Sequence, residues 1–408
     1  MDSTSRLQRL KNREERRMSN VNDAMEKSKE AKLSGLPDKV LHHILSFLDT
    51  KLAVQTCVLG RKWKYLWQSV SSLHFNCDSF SNSAHYKKFV KQVLLQRDES
   101  KELKKFTIDY SGCDPILKQV TNYLENHGFG LQELCFSVYC DMRALSPFLP
   151  HLSAWKSLRT LKLEKLVLPK NFLFDFGSLT SLCLKACWLP WDKGEPHDPF
   201  RGCLSLKSLR INGCRIWVPV KTFEISAPEV TYLEISWMDC QGYDPHYGIS
   251  LTTSKLRSFS FEGTKLIAIS TRGLPSLEKV FIHLGQKFPT TEDSTSENER
   301  KHLIKLLQEL GNAKSLTLSL EIIRALSKAL DVVKGHCSPL TRVEDVKVKV
   351  RLFEASSETI PSFALPVNVM KYLLGGSSAK TFVIEHSKAK GEAEIPVVGV
   401  RSSVGTTR

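Results

Sequence analysis

Residues 158–163 read LRTLKL, residues 179–184 read LTSLCL and residues 206–211 read LKSLRI. In each hexapeptide an apolar residue stands first, fourth and sixth. The last two alternate with polar residues, the period-two signature of a strand buried on one face. With substitutions, the same pattern starts at Leu103 (LKKFTI), Leu131 (LQELCF), Val230 (VTYLEI), Leu256 (LRSFSF) and Leu277 (LEKVFI). Looser copies start at Ala313 (AKSLTL) and Val343 (VEDVKV). The first eight starts follow one another at steps of 21 to 28 residues. Chance supplies one or two such strings in a leucine-rich chain; eight at this spacing are a repeat. One unit has nowhere to bury its apolar side, so neighbours must stack. The expected result is a solenoid with a parallel β-sheet on one face, its loops and short helices on the other side absorbing the variable step lengths.

That period is the one leucine-rich repeats use. The repeats are expected over about residues 100–350. The long step after Leu277 holds a polar stretch, Pro289 to Arg300 (PTTEDSTSENER), read as a mobile loop. An amphipathic helix with Leu303, Ile304, Leu306, Leu307 and Leu310 follows it. Residues 351–386 read as a C-terminal cap, with a helix at VNVMKYLL (367–374) and a strand at KTFVIE (380–385). Residues 387–408 are small and polar and read as a disordered tail.

Upstream, residues 32–75 change character. Leu36-Pro37-Asp38 opens a helix, since proline near the first turn loses no hydrogen bond. Val40, Leu41, Ile44, Leu45 and Leu48 continue it as an apolar stripe. Asp49-Thr50 breaks this helix and caps a second one carrying Leu52, Val54, Cys57 and Val58, stopped by Gly60. Trp63, Leu66, Trp67 and Val70 sit at i, i+3, i+4, i+7 and predict a third helix. Three short helices cannot bury all these stripes on one another, so the surplus apolar surface predicts a partner. Residues 1–31 form a basic arm, read as a solvated tail, with a nuclear localisation signal as the sharper alternative.

Composition narrows the class. The 408 residues carry 58 Lys+Arg against 43 Asp+Glu, a net charge of +15, which permits nucleic acid, acidic membranes or an acidic protein as partners without choosing among them. No stretch reaches the length of an apolar membrane span, and the charged N-terminus lacks the apolar core of a secretory signal. Residence in the nucleus and/or cytoplasm is therefore expected, with the eleven scattered cysteines reduced. No nucleotide-binding, zinc-protease or nucleophile-elbow motif occurs. The expectation is a non-enzyme with no cofactor and no metal. His42-His43 point about 100° apart on a helix and make a poor metal pair. Cys183 and Cys187 are read as a structural thiol pair. Trp63 and Trp67 are read as core or interface anchors; base stacking beside Arg61, Lys62 and Lys64 is the sharper alternative.

At this point a resemblance can be stated. The segment LSGLPDKVLHHILSFLDTKLAVQTCVLGRKWKYLWQSVSSLHFN resembles the plant-type F-box. Leu36-Pro37, Ile44-Leu45-Ser46-Phe47-Leu48, Thr50-Lys51, Ala53-Val54, Thr56, Val58-Leu59, Trp63 and Leu66-Trp67 match that family's pattern in order and spacing, while Gly60 replaces its usual serine. The repeats that follow resemble those of plant F-box proteins with leucine-rich repeats, and SAKTFVIE is similar to the closing strand of the FBD domain that some members carry. The resemblance implies an α/β chain: a short N-terminal three-helix F-box, then a leucine-rich-repeat solenoid. It implies a substrate receptor of an SCF-type ubiquitin ligase, docked on a Skp-family adaptor and through it on a cullin and a RING protein. Leu36, Pro37, Val40, Leu41, Ile44, Leu45 and Leu48 would meet the adaptor. Val54, Val58, Trp63, Leu66 and Trp67 would form a shared core and second contact. The repeats would hold an unknown protein target on outward strand positions, with Lys162, Lys185, Arg210, Tyr232 and Phe281 as candidates. The alternatives are a non-degradative scaffold that holds a Skp-type adaptor without ubiquitin transfer and, weaker, a nucleic-acid-binding protein.

Overall fold

The computed structural model describes residues 35–110, 115–138, 149–190, 198–217, 222–240, 248–271, 273–285, 297–332, 340, 342–352, 366–374 and 381–388. The expected arm (1–31) and most of the polar stretch at 289–300 lie outside them, as does the expected tail (387–408) apart from Ser387 and Lys388, which end a strand rather than begin a disordered tail. The chain forms two compact units, one up to Leu134 and one from Cys135.

The first unit opens with helices α1 (Asp38–Leu45) and α2 (Thr50–Gln55), then 3-10 turns at Thr56–Leu59 and Leu66–Ser69. Strand β1 (Ser72–Asn76), helix α3 (Ser83–Gln96), strand β2 (Lys105–Tyr110) and helix α4 (Pro115–His127) follow, and β3 (Glu133–Val138) begins at its end. Local chemistry sets the boundaries. The Asp49 carboxylate accepts from the Leu52 amide at 2.7 Å and starts α2; Asn82 does the same for α3 through His85. Helix α3 buries Tyr86, Val90, Val93 and Leu94, one stripe of a 3.6-residue period. Strands β1 and β2 are parallel, with Leu73 opposite Phe106 and Phe75 opposite Ile108, all buried.

Two expectations change here. The third helix is not an α-helix: the amides of Trp63, Leu66 and Val70 donate to the carbonyls of Gly60, Trp63 and Trp67, each three residues back. At three residues per turn, Trp63 eclipses Leu66 and Trp67 eclipses Val70, which buries all four in the few residues between Gly60 and β1. The repeat array also starts earlier than Leu103. Val70, Leu73 and Phe75 already have the first, fourth and sixth spacing, and β1 lies within the residues assigned to the F-box. The serine-rich VSSLHF masks the pattern, and α3 lengthens the first step.

In the second unit the strands are, in chain order, β4 (Thr160–Glu164), β5 (Ser181–Lys185), β6 (Trp188–Pro190), β7 (Ser208–Asn212), β8 (Arg215–Trp217), β9 (Thr222–Ile225) and β10 (Tyr232–Ser236). Then come β11 (Asp239–Cys240), β12 (Gly248–Leu251), β13 (Ser258–Gly263), β14 (Ala268–Thr271) and β15 (Lys279–Leu284). Helices α5 (Glu297–Glu309) and α6 (Leu320–Val332) flank β16 (Ser315–Ser319); β17 (Asp345–Leu352), α7 (Val367–Leu374) and β18 (Thr381–Lys388) finish the unit. The main sheet runs β4-β5-β7-β10-β13-β15-β16-β17-β18, each neighbour parallel. Its register aligns the motif: Leu161, Leu182, Leu209, Leu233, Phe259, Val280, Leu316 and Val346 form one buried row. The looser copies at Ala313 and Val343 supply β16 and β17, and α7 and β18 occupy the expected C-terminal cap.

Each motif's first residue closes a turn: the amides of Leu158, Leu179, Leu206, Val230 and Leu256 donate to the carbonyl three residues back. The other corner is a left-handed residue immediately after the strand, at Lys165 (φ 57°), Ala186 (50°), Gly213 (61°) and Trp237 (52°). These amides donate at 2.7–2.8 Å to the carbonyls of Lys185, Asn212, Ser236 and Glu262 in the next repeat's strand. The side expected to hold loops and helices instead carries two three-stranded parallel sheets, β6-β8-β11 and β9-β12-β14. The short segment TFEI alternates half-buried and buried residues, AIST buries Ile269, and strand pairing satisfies their backbone groups. The α5 stripe is as expected, with Leu303, Leu306, Leu307 and Leu310 fully buried.

The expected thiol pair is corrected. Cys183 stands on the open face of β5, while Cys187 is buried behind the corner. Period two puts position 183 outward, and the left-handed Ala186 turns the chain inward. The neighbour of Cys187 is Cys214 of the next repeat. Each thiol donates to a strand carbonyl, of Leu163 and Leu184 respectively. The hydrogen bond to Cys187, then burial, push the Cys214 thiol up.

Candidate functional site

Two surfaces carry the chemistry, one in each unit. In the first unit the sequence gives α1 two apolar stripes about 100° apart. Leu41 and Leu45 form one, which is buried in the chain's own core with Trp63, Leu66, Trp67 and Val70. Val40 and Ile44 form the other, continued by Phe47 just past the helix end; Val40 and Phe47 face out and Ile44 is half-buried. The core is pinned by side chains. His42 Nε2 lies 2.7 Å from the Ser69 hydroxyl. The Thr50 hydroxyl accepts from the His74 amide at 2.7 Å, tying α2 to β1. Lys62 bridges to Asp38 at 3.0 Å and also donates to the Leu36 carbonyl.

Of the twelve large apolar residues left exposed among the described residues, five fall between Val40 and Tyr65: Val40, Phe47, Leu52, Val58 and Tyr65. Val58 is 81% exposed and Phe47 75%. Surface of this kind, concentrated in one short module, marks an interaction site. The structure thus divides the twelve residues expected at an adaptor interface. Pro37, Val40 and Val58 are outward, and Leu36, Ile44, Leu48 and Val54 are half-buried. Leu41, Leu45, Trp63, Leu66 and Trp67 are spent on the interior, so in this conformation they offer a partner no surface. Val58, expected in a shared core and second contact, lies on the outside, at the 3-10 turn Thr56–Leu59. Phe47, Leu52 and Tyr65 were missed; the i, i+4, i+7 spacing of Val40, Ile44 and Phe47 is the signal that finds the first of them.

In the second unit the open face of the sheet presents cross-strand rows. Lys162, Cys183, Arg210, Glu234, Ser260 and Phe281 form one. Glu164, Lys185, Asn212, Ser236, Glu262 and His283 form the next. Glu164 and His283 stand at positions whose alternation points outward, yet both are buried. Lys185, Lys162 and Lys165 approach Glu164 at 2.8, 3.5 and 3.9 Å. Burial pushes the Glu164 pKa upward, but the three lysines outweigh it and hold the carboxyl below its ordinary range. Arg210 lies 5.1 Å over the Tyr232 ring, and the Tyr232 hydroxyl donates to Glu234 at 2.7 Å. Phe281 stands three strands away from Arg210, stacked on His283 and covered by Lys349. The five expected target residues therefore do not form one patch: Lys162, Lys185, Arg210 and Tyr232 cluster, and Phe281 does not join them. Lys165 belongs to the cluster and was missed, since its place depends on the left-handed corner. Among the described residues no group of His, Cys, Asp or Glu has a metal-binding arrangement, and no helix is long and apolar enough to cross a membrane.

A small helical module with an unburied apolar face, joined to a leucine-rich array, defines a protein-binding chain with a docking module. Residues 33–75 match the F-box domain family. The chain is 26% identical to F-box/LRR-repeat protein At4g14103 of Arabidopsis thaliana, over 74% of this chain and 81% of that one. It is 25% identical to Putative F-box/FBD/LRR-repeat protein At1g66300 of the same plant, over 84% and 75%. It is 30% identical to F-box protein At5g03100, also from Arabidopsis thaliana, over 50% of this chain and 69% of that protein. The chain belongs to the plant F-box proteins with leucine-rich repeats.

Proposed function

We propose that this chain is the substrate receptor of an SCF-type ubiquitin ligase. Its F-box docks on a Skp-type adaptor, which links it to a cullin and a RING protein, and its repeats hold a target protein. The observation that carries this reading is the concentration of exposed apolar residues, Val40, Phe47, Leu52 and Val58, within the F-box match. Burying such a cluster on a partner supplies the hydrophobic free energy that the module leaves unused. Arg61 and Lys64, exposed beside it, steer an acidic partner. The receptor performs no bond chemistry of its own. It raises the effective concentration of a target lysine near the ubiquitin carrier.

The test is capture of the full chain on a purified Skp-type adaptor, comparing the native chain with Val40→Asp/Val58→Asp. Both side chains are outward, so the variant keeps its fold. Truncating an interface anchor costs about 2 kcal/mol or more, so capture falls at least about tenfold. Equal capture of both chains refutes this docking face. Capture without ubiquitin transfer to any bound protein, in a reconstituted ligase, favours the non-degradative scaffold instead.

A further inference from the structure

We propose that Lys162, Lys165, Lys185 and Arg210 form a docking surface for an extended, Asp/Glu-rich segment of a protein partner. The proposal rests on the reading that the repeats hold a target, and it names the chemical class of that target's contact segment.

The argument is an asymmetry between cations and anions. The cluster contains two carboxylates, Glu164 and Glu234, and four cations. Both carboxylates are already engaged: Glu164 is sunk, and Glu234 is only 25% exposed at its side chain. Glu164, with its side chain 9% exposed, lies beneath three lysines. Glu234 accepts from the Tyr232 and Ser236 hydroxyls and sits 3.6 Å from Arg210. The cations are 41–53% exposed at their side chains. A partner therefore meets positive charge, although the sequence of these strands is mixed in sign. The buried carboxylate also holds the ammonium groups in place, so less side-chain entropy is lost on binding.

The floor between the cations is low. Ser181, Ser208, Cys183 and Asn212 are the side chains in register with and beside them. The backbone is fixed as well: the Lys165 amide donates to the Lys185 carbonyl at 2.8 Å, which locks the spacing of those two lysines. Lys162 and Arg210 stand two strands apart, roughly 10 Å at 4.8 Å per strand. An extended peptide crossing the strands brings alternate residues about 7 Å apart, so two or three carboxylates at i, i+2, i+4 span the cluster. Lysines act as spread point charges here, and the one guanidinium is engaged by Glu234 and Tyr232; neither is arranged as the bidentate fork that a single phosphate favours. The stripe is also too short to follow the backbone of a nucleic-acid duplex.

The experiment uses the full chain co-purified with a Skp-type adaptor and the fluorescein-labelled peptide GSESESEG. Its glutamine counterpart GSQSQSQG and an eight-residue oligouridylate serve as comparisons. Anisotropy is read at 50 and 300 mM NaCl, and adaptor retention is scored in the same samples. The acidic peptide binds, and the glutamine peptide binds at least tenfold more weakly. Lys162→Gln/Arg210→Gln, which leaves Glu164 paired with Lys185 and Lys165, loses at least tenfold; Lys165→Gln alone loses about threefold. Equal binding of the two peptides overturns the proposal. So does binding indifferent to both variants, or oligouridylate binding tighter than the acidic peptide with the same variant sensitivity. Loss of adaptor retention with peptide binding intact counts against the F-box reading and leaves this one standing.

Discussion

Arg97 ties backbone groups of the first unit together through one buried guanidinium. It is 4% exposed, and its guanidinium donates to four backbone carbonyls. Nη1 reaches Asp98 and Lys101 at 3.2 and 2.9 Å, and Nη2 reaches Val70 and Glu102 at 3.1 and 3.3 Å. It thereby fastens the end of the F-box segment to the loop that leads into β2. Arg97→Met keeps most of the apolar stem but removes every donor. The hydrogen bond to the Val70 carbonyl is buried, so losing it costs the full penalty of an unsatisfied group, about 1–3 kcal/mol. The other three carbonyls reach water in part and add about 0.5–1 kcal/mol each. The sum is about 2.5–6 kcal/mol, a large share of the 5–15 kcal/mol typical of a domain. A chain of two units need not unfold in one step, so the assay is hydrogen exchange by mass spectrometry on the full chain. Protection of peptides covering 70–76 and 98–110 falls by about a hundredfold or more, at 1.4 kcal/mol per tenfold, while β5 to β13 are unchanged. Arg97→Lys recovers only part of it, because an ammonium has three donors and no planar fork. Full protection in Arg97→Met, or complete rescue by lysine, refutes the reasoning.

Other outcomes follow from single features. Leu209→Ala empties a fully buried site at the middle of the aligned row and costs about 2–5 kcal/mol, read as a lowered urea midpoint of the second unit. Gly213→Ala costs about 1 kcal/mol for its left-handed backbone alone, since the nearest atom to an added methyl is 3.8 Å away; a loss well above 2 kcal/mol in the same melt would mean a steric clash instead. Thr50→Val strands the His74 amide and costs about 1–3 kcal/mol, visible as faster exchange in β1. Glu164 has a lowered folded-state pKa, so its stabilisation is fully present above the unfolded value near 4.5 and is lost as pH falls through the folded value. Glu164→Gln should therefore melt lower than the native chain at pH 6, with the gap closing toward pH 3; a gap independent of pH would refute the ion-pair account.

The sequence was most legible where structure is local. Period two and a recurring step of 21 to 28 residues placed eight strands, because each repeat must bury the same face against its neighbour. The F-box pattern was legible as an ordered string of residue types, and α1 and α2 begin where Pro37 and Asp49 place them. Periodicity alone did not separate Val40, Ile44 and Phe47 from Leu41 and Leu45. Both stripes of α1 are apolar, and only the docking of Trp63, Leu66 and Trp67 decided which of them became interior. The same spacing that predicted a third α-helix served a 3-10 turn, since four large side chains had to reach one core within a few residues.

The amino-acid sequence by itself determined the repeat, the helical module and the surplus of apolar surface, all properties of residues near one another along the chain. The tertiary structure decided which carboxylates were sunk and which cations stayed in water. It also made Cys187 the neighbour of Cys214 rather than of Cys183, and put Lys165 beside Lys185. Those relations join residues 20 to 30 positions apart, through left-handed corners and inter-repeat hydrogen bonds that exist only once the repeats stack.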